Sequence, residues 1–150
     1  MIQKIRKFLR NLLQEHFQAS AVPLNNKQIE SISPDEELSR FIFSSNELTN
    51  SGIIKAAAFL PNASLKTSVF RKSRMSPDEY NSKKAVVAKV RAKPIKAVAL
   101  IRASSVLEAK LQINPEETEH RWHAGLINWP ENKEERKSIA QILANAAYVE

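Results

Sequence analysis

Cysteine is absent from the 150 residues, which excludes disulfide frameworks, thiolate metal sites, iron–sulfur clusters and cysteine nucleophiles together. Glycine is nearly absent, with Gly52 and Gly125 alone. A Walker loop or a dinucleotide fingerprint needs several backbone positions that approach phosphate closely, so two glycines build neither. No apolar run approaches the roughly 20 residues of a membrane span. What is present is 43% apolar residues in a length typical of one domain, enough to bury a core without staples. The expectation is a soluble, cytosolic, basic domain.

The net charge of +7 is segregated along the chain. Residues 1–17 carry a small basic excess and residues 18–37 an equal acidic one. Residues 38–112 hold fourteen Lys or Arg against Glu47, Asp78, Glu79 and Glu108, whereas residues 113–150 are net acidic. The densest stretch runs from Lys66 to Lys96 and includes Lys72, Arg74, Lys83, Lys84 and Arg91. Such a concentration attracts polyanions and steers their approach. Only Phe70 and Tyr80 interleave it, so base stacking on single strands has little support, and contacts to nucleic acid would fall on phosphates. The alternative is a solvated lysine-rich face with no partner.

Residues 1–17 place Ile2, Ile5, Phe8, Leu9, Leu12, Leu13 and Phe17 at helical spacing, with Lys4, Lys7 and Arg10 opposite. This predicts an amphipathic helix whose Ile5, Phe8, Leu9, Leu12 and Leu13 face docks on the domain, on a partner helix or in a dimer seam. Its basic face is too modest to favour a membrane surface. Residues 18–33 are polar, lack periodicity and read as a linker. From residue 34 a single domain is expected.

Ser33-Pro34-Asp35-Glu36 and Ser76-Pro77-Asp78-Glu79 both have the form of a capping box with proline at the first helical position,. The first predicts a short helix. The second predicts one running to about Arg91 or Ala92, stopped by Lys93 before Pro94. Asn114-Pro115-Glu116-Glu117 has the same form without an apolar run behind it and reads as a turn. A last helix begins near Asn132 with Glu135 as box partner and an apolar stripe of Ile139, Ile142, Leu143 and Ala146. Residues 39–44, 53–60, 66–71, 95–102 and 122–129 read as strands, with a hairpin at Pro61-Asn62. Residues 105–113 read as a turn leading into a short strand. The fold class is therefore α+β: a mostly antiparallel sheet of about five strands packed with two helices, preceded by the amphipathic helix.

Three arginines, Arg40, Arg71 and Arg102, sit at the ends of apolar strand runs. Guanidinium forks donate in pairs from a fixed plane and suit carboxylate and phosphate, although solvent alone also places arginine at strand ends. His123 shares a strand face with Gly125, Ile127 and Trp129, where the glycine leaves room for an approaching group, and is the candidate acid or base. If that strand starts early, His120 and His123 face opposite ways. No third ligand completes a metal site, and no metal or cofactor is expected. A Gly-x-Ser-x-Gly elbow and an ordered Ser/His/Asp set are both lacking,.

His123-Ala124-Gly125-Leu126-Ile127-Asn128-Trp129-Pro130, a His-Ala-x-x-Ile-x-Trp-Pro element, joins Leu38-Ser39-Arg40-Phe41-Ile42-Phe43 and Val69-Phe70-Arg71 in a pattern that resembles a group of small uncharacterised bacterial proteins. The likeness spans roughly residues 36–147. It implies a bacterial cytosolic protein, attaches no activity, and points to Arg40, Arg71, Arg102 and His123. Two functions follow from the residues. One is a non-enzymatic module binding nucleic acid or an acidic protein through the basic middle. The other is a small enzyme that holds a phosphate-bearing substrate with Arg71 and Arg102 and uses His123 as acid or base, which requires the three to share a pocket.

Overall fold

Short apolar runs rich in branched and aromatic residues suit strands that are covered on both faces, and four of the five expected strands form from such runs. In the computed structural model, which describes residues 30–116 and 120–150, Ser31–Glu150 form one compact unit. The strands are β1 (Glu37–Ile42), β2 (Thr67–Arg71), β3 (Ala97–Arg102), β4 (Gln112–Pro115), β5 (His123–Ile127) and β6 (Tyr148–Val149). They pair antiparallel throughout in the order β4-β5-β2-β1-β3-β6. Three α-helices complete the fold: α1 (Pro77–Arg91), α2 (Ala103–Glu108) and α3 (Lys133–Ala146). Among the described residues the architecture is α+β with six strands and three helices rather than five and two.

Each face of the sheet has its own core. On the first, Leu38 and Ile42 of β1, Val69 of β2, Ala99 and Ile101 of β3 and Leu126 of β5 pack with Val106 of α2 and Leu143 of α3. On the second, Phe41, Phe70, Val98 and Leu100 pack beneath Tyr80 and Val87 of α1. Phe41 stacks on Phe70 with ring centroids 5.3 Å apart, an offset geometry that adds to area burial.

The capping chemistry holds where a helix follows it. Ser76 accepts from the Glu79 amide at 3.2 Å while the Glu79 carboxylate accepts from the Ser76 amide at 3.0 Å, and α1 runs the expected length. It ends with Ala92 in the left-handed conformation (φ 52°), and the Lys93 amide reaches back to the Ala88 carbonyl, as in a Schellman closure. Asn132 likewise accepts from the Glu135 amide at 3.0 Å and starts α3. The inward stripe of α3 is Ala140, Leu143 and Ala144, whereas Ile142 is exposed, so the helix is rotated from the expected face.

Four local expectations are overturned. Ser33–Glu36 forms only a turn, because β1 begins at Glu37 and pairs on both sides; sheet hydrogen bonding overrides the local signal. Residues 53–60 are not a strand. Ile54 makes one isolated bridge to Leu48, Ala56–Ala58 is a 3-10 turn, and the expected hairpin is lost with the strand. Residues 103–108 are a helix where a turn was expected, though the short strand follows as β4. Asn114 and Pro115 lie in that strand, not in a turn, and an edge strand tolerates the missing proline donor. The amphipathic segment 1–17 and most of the linker lie outside the described residues.

Candidate anion-binding surface

Strand alternation divides the expected site residues between the two faces. In the β1–β2 ladder Leu38 faces Arg71, and in the β1–β3 ladder Arg40 faces Ala99, which puts both arginines on the first face. Glu37 faces Arg102, and Phe70 faces His123, which puts Arg102 and His123 on the second. Two strands lie between β5 and β3, so the backbones of His123 and Arg102 are about 14 Å apart across the sheet at ordinary strand spacing. Arg40, Arg71, Arg102 and His123 do not converge.

Arg71 is fully buried. Its guanidinium donates to both Glu36 carboxylate oxygens, at 2.9 and 2.6 Å, and to the Ser31 carbonyl at 3.2 Å. Arg74 donates to the same carboxylate at 3.2 Å. The Trp122 ring lies 5.6 Å from the Arg71 guanidinium, and the Trp122 backbone, in the left-handed region at φ 68°, turns its carbonyl to accept from the Arg71 amide at 2.7 Å. Burial pushes the Glu36 carboxyl up, but hydrogen bonds from Arg71 and the Ser33 amide outweigh it and hold the group below the usual carboxylate range,. The anion for this arginine comes from its own chain.

Arg40 is spent on backbone. It donates to the Ala58 carbonyl at 2.9 Å and the Ser68 carbonyl at 3.0 Å, tying the 56–58 turn to β2, and burial lowers its pKa. Lys83 was expected on the basic surface. Instead it is 7% exposed, points from α1 into the second face with its amine 5.7 Å from the Phe70 ring, and is pulled by burial to about 8.

His123 stands edge-on to Phe70 at 5.4 Å, and its Nδ1 lies 3.7 Å from a Glu116 oxygen. His120 and His123 face the same way, with rings 6.4 Å apart, because β5 starts only at His123 and the preceding residues turn back. The room beside Gly125 is filled: a Cβ there would come within 2.6 Å of the Lys66 stem, whose amine pairs with Glu116 at 2.8 Å. Trp129 is not on this face. The left-handed Asn128 (φ 69°) ends the strand, and Trp129 joins the first core. Among the described residues no group of three or more His, Cys, Asp or Glu side chains is placed to hold a metal.

The remaining cations of the Lys66–Lys96 stretch separate into two sets. Lys72 and Lys84 flank the Tyr80 ring, with amines 5.4 and 4.8 Å from its centroid. Both reach Glu150, at 3.8 and 3.3 Å, and Lys72 also pairs with Glu37 at 3.1 Å. The Tyr80 hydroxyl donates to Glu150 at 2.8 Å. The second set, Lys89, Arg91, Lys93 and Lys96, surrounds the left-handed turn at Ala92 and is exposed. None of the four enters an ion pair among the described residues, and Arg91 covers the Phe43 ring at 5.4 Å. Glu47, in the loop that follows β1, is engaged by the Phe43 and Ser44 amides, both at 3.1 Å.

Sequence reasoning missed Glu36, Glu150, Tyr80 and Tyr148, whose partners lie 35 to 111 positions away, beyond any local pattern. Lys89, Lys93 and Lys96 were visible only as part of the dense stretch. No family model, no curated protein and no solved structure matches the chain. No helix among the described residues is long and apolar enough to cross a membrane.

Proposed function

We propose that the protein is a non-enzymatic binding module that holds a phosphate polymer, nucleic acid in the first instance, through Lys89, Arg91, Lys93 and Lys96. The observation that carries this reading is that these four exposed cations bend round one turn without an acidic partner among the described residues, while Lys66, Arg71, Lys72, Arg74 and Lys84 are paired with carboxylates of the chain and Lys83 is buried. Cations at a helix C-terminus also complement its dipole, which is the plain structural explanation for their position. That effect accounts for Lys89 and Arg91 in the last turn, but not for Lys93 and Lys96 beyond the helix end. The enzyme reading required Arg71, Arg102 and His123 in one pocket, and their division between two faces leaves it without support.

Fluorescence anisotropy of generic DNA and RNA oligonucleotides against the full chain tests the proposal. Four neutralised phosphates give a log–log salt slope of about −3.6, and so roughly a hundredfold loss of affinity between 50 and 200 mM salt. The variant Lys89→Glu/Arg91→Glu/Lys93→Glu/Lys96→Glu is expected to lose binding at low salt. Binding without a salt slope, or binding unchanged in the variant, refutes the assignment. Binding to acidic protein but not to nucleic acid corrects the partner.

A further inference from the structure

The outer edge of β3 is covered by only two residues. Tyr148 and Val149 pair with Leu100 and Ala99, the Glu150 amide donates to the Val98 carbonyl at 3.0 Å, and a single residue, Ala147, connects this segment to α3. Tyr148 and Val149 remain 47% and 41% exposed. A ladder this short contributes little by itself. What distinguishes the segment is that each side chain is read by a different part of the domain. The Tyr148 hydroxyl donates to Glu37. Val149 lies on the opposite face and lines a cavity of about 440 Å³ with Ile54 and Ala144. Glu150, on the same second face as Tyr148, places its carboxylate among Lys72, Lys84 and the Tyr80 hydroxyl.

We propose that the β3 edge is a recognition groove for an extended acidic peptide, which the chain fills in cis with Tyr148–Glu150 and which takes the same kind of segment from a partner in trans. The required partner strand carries a hydroxyl-bearing aromatic residue, then a branched apolar residue, then a carboxylate. Main-chain pairing to β3 supplies affinity and the alternate side chains supply selectivity, as in strand addition generally. The charge of the groove fits this ligand: Lys72 and Lys84 lie against the same aromatic ring and aim at one carboxylate. The cis segment acts as a competitor at an effective concentration on the order of millimolar, so it holds the groove closed against weak ligands. This surface is independent of the Lys89–Lys96 cluster.

The test uses a fluorescent, C-terminally amidated hexapeptide with the sequence of residues 145–150 and the full chain carrying Tyr148→Gly, Val149→Gly and Glu150→Gly, which leaves α3 untouched. Saturable binding to this variant is expected, at least about tenfold tighter than to the unsubstituted chain because the cis competitor is gone. A peptide with Gln in place of the acidic residue should bind about tenfold more weakly, as should the native peptide to the variant carrying Lys72→Glu and Lys84→Glu in addition. No binding, or equal binding of the Gln peptide, overturns the proposal, and so does preferential filling of the opened groove by an oligonucleotide. If the glycine variant does not fold, Glu150→Lys in the full chain decides. Hydrogen exchange at the amide of residue 150, which donates to the Val98 carbonyl, should then accelerate at least about tenfold while the β1 and β2 amides stay protected; an unchanged residue-150 amide overturns the proposal.

Discussion

Glu36 and Glu37 are neighbours in sequence, as are Arg71 and Lys72, yet the two acid–base pairs they form have opposite characters. Glu36 and Arg71 meet on the first face, where the side chains are 5% and 0% exposed and the fork is bidentate. Glu37 and Lys72 meet on the second, each more than a quarter exposed and joined by one contact. Neighbouring positions at the start of β1 and the end of β2 fall on opposite faces of the sheet, which makes the difference. The buried pair fixes the lead-in to β1 against the end of β2. The open one belongs to a group of charges that another carboxylate can enter. Basic residues adjacent in the chain thus serve stability in one case and recognition in the other.

The largest effect that separates the pairs is on stability. Removing one partner of a buried pair leaves an uncompensated charge, so Arg71→Met should lower unfolding free energy by about 3–5 kcal/mol, whereas Lys72→Met should cost less than about 1 kcal/mol. Urea denaturation of both variants makes the comparison, and equal losses would erase the distinction. The same pair sets an acid response. The Glu36 carboxyl titrates below its unfolded value of 4.5, so its contribution is present above that pH and is lost as pH falls through the lower folded value. The stability gap between the unsubstituted chain and Glu36→Gln should accordingly narrow below pH 4.5.

A buried cation on the second face gives the next effect. Lys83 titrates near 8 in the folded protein against 10.5 otherwise. Between those values the unfolded chain holds a proton that the folded one has released, so stability rises with pH across the window and the cost of burying the ammonium is fully present below it. Lys83→Met is expected to stabilise the fold by about 1–3 kcal/mol at pH 7, an advantage that thermal melts should show shrinking between pH 8 and 10.5. A smaller gain is expected at the end of α1, where Ala92 occupies a left-handed conformation (φ 52°) that glycine adopts without penalty. Ala92→Gly should stabilise by about 1 kcal/mol in the same melts. At the low end, single reversals at Lys89, Lys93 or Lys96 should change stability by no more than about 0.5 kcal/mol.

What could be read from the sequence follows the range of the interactions involved. The α1 box and the Asn132 cap act within three residues and are legible as spacing; the short runs of branched and aromatic residues that become β1, β2, β3 and β5 are equally local. The Ser33 box looks the same as the Ser76 one, but Glu36 is claimed by Arg71 from 35 positions away, and β1 takes the chain before a helix can form. The alanine-rich run 53–60 carries the composition of a strand without a neighbour to pair along its length. For the site, the basic stretch was legible as composition. Its sorting was not, because which of Arg40, Arg71, Lys83 and Lys93 meets solvent depends on face, register and distant carboxylates.

The most direct test of where an anion binds is an amide chemical-shift map of the full chain titrated with a short DNA duplex at low salt. The expected shifts cluster at Lys89–Lys96 and vanish as salt is raised, with Arg71 and the His120–Gly125 region undisturbed. Shifts centred on His123 and Arg102 instead, or none anywhere, would contradict the assignment.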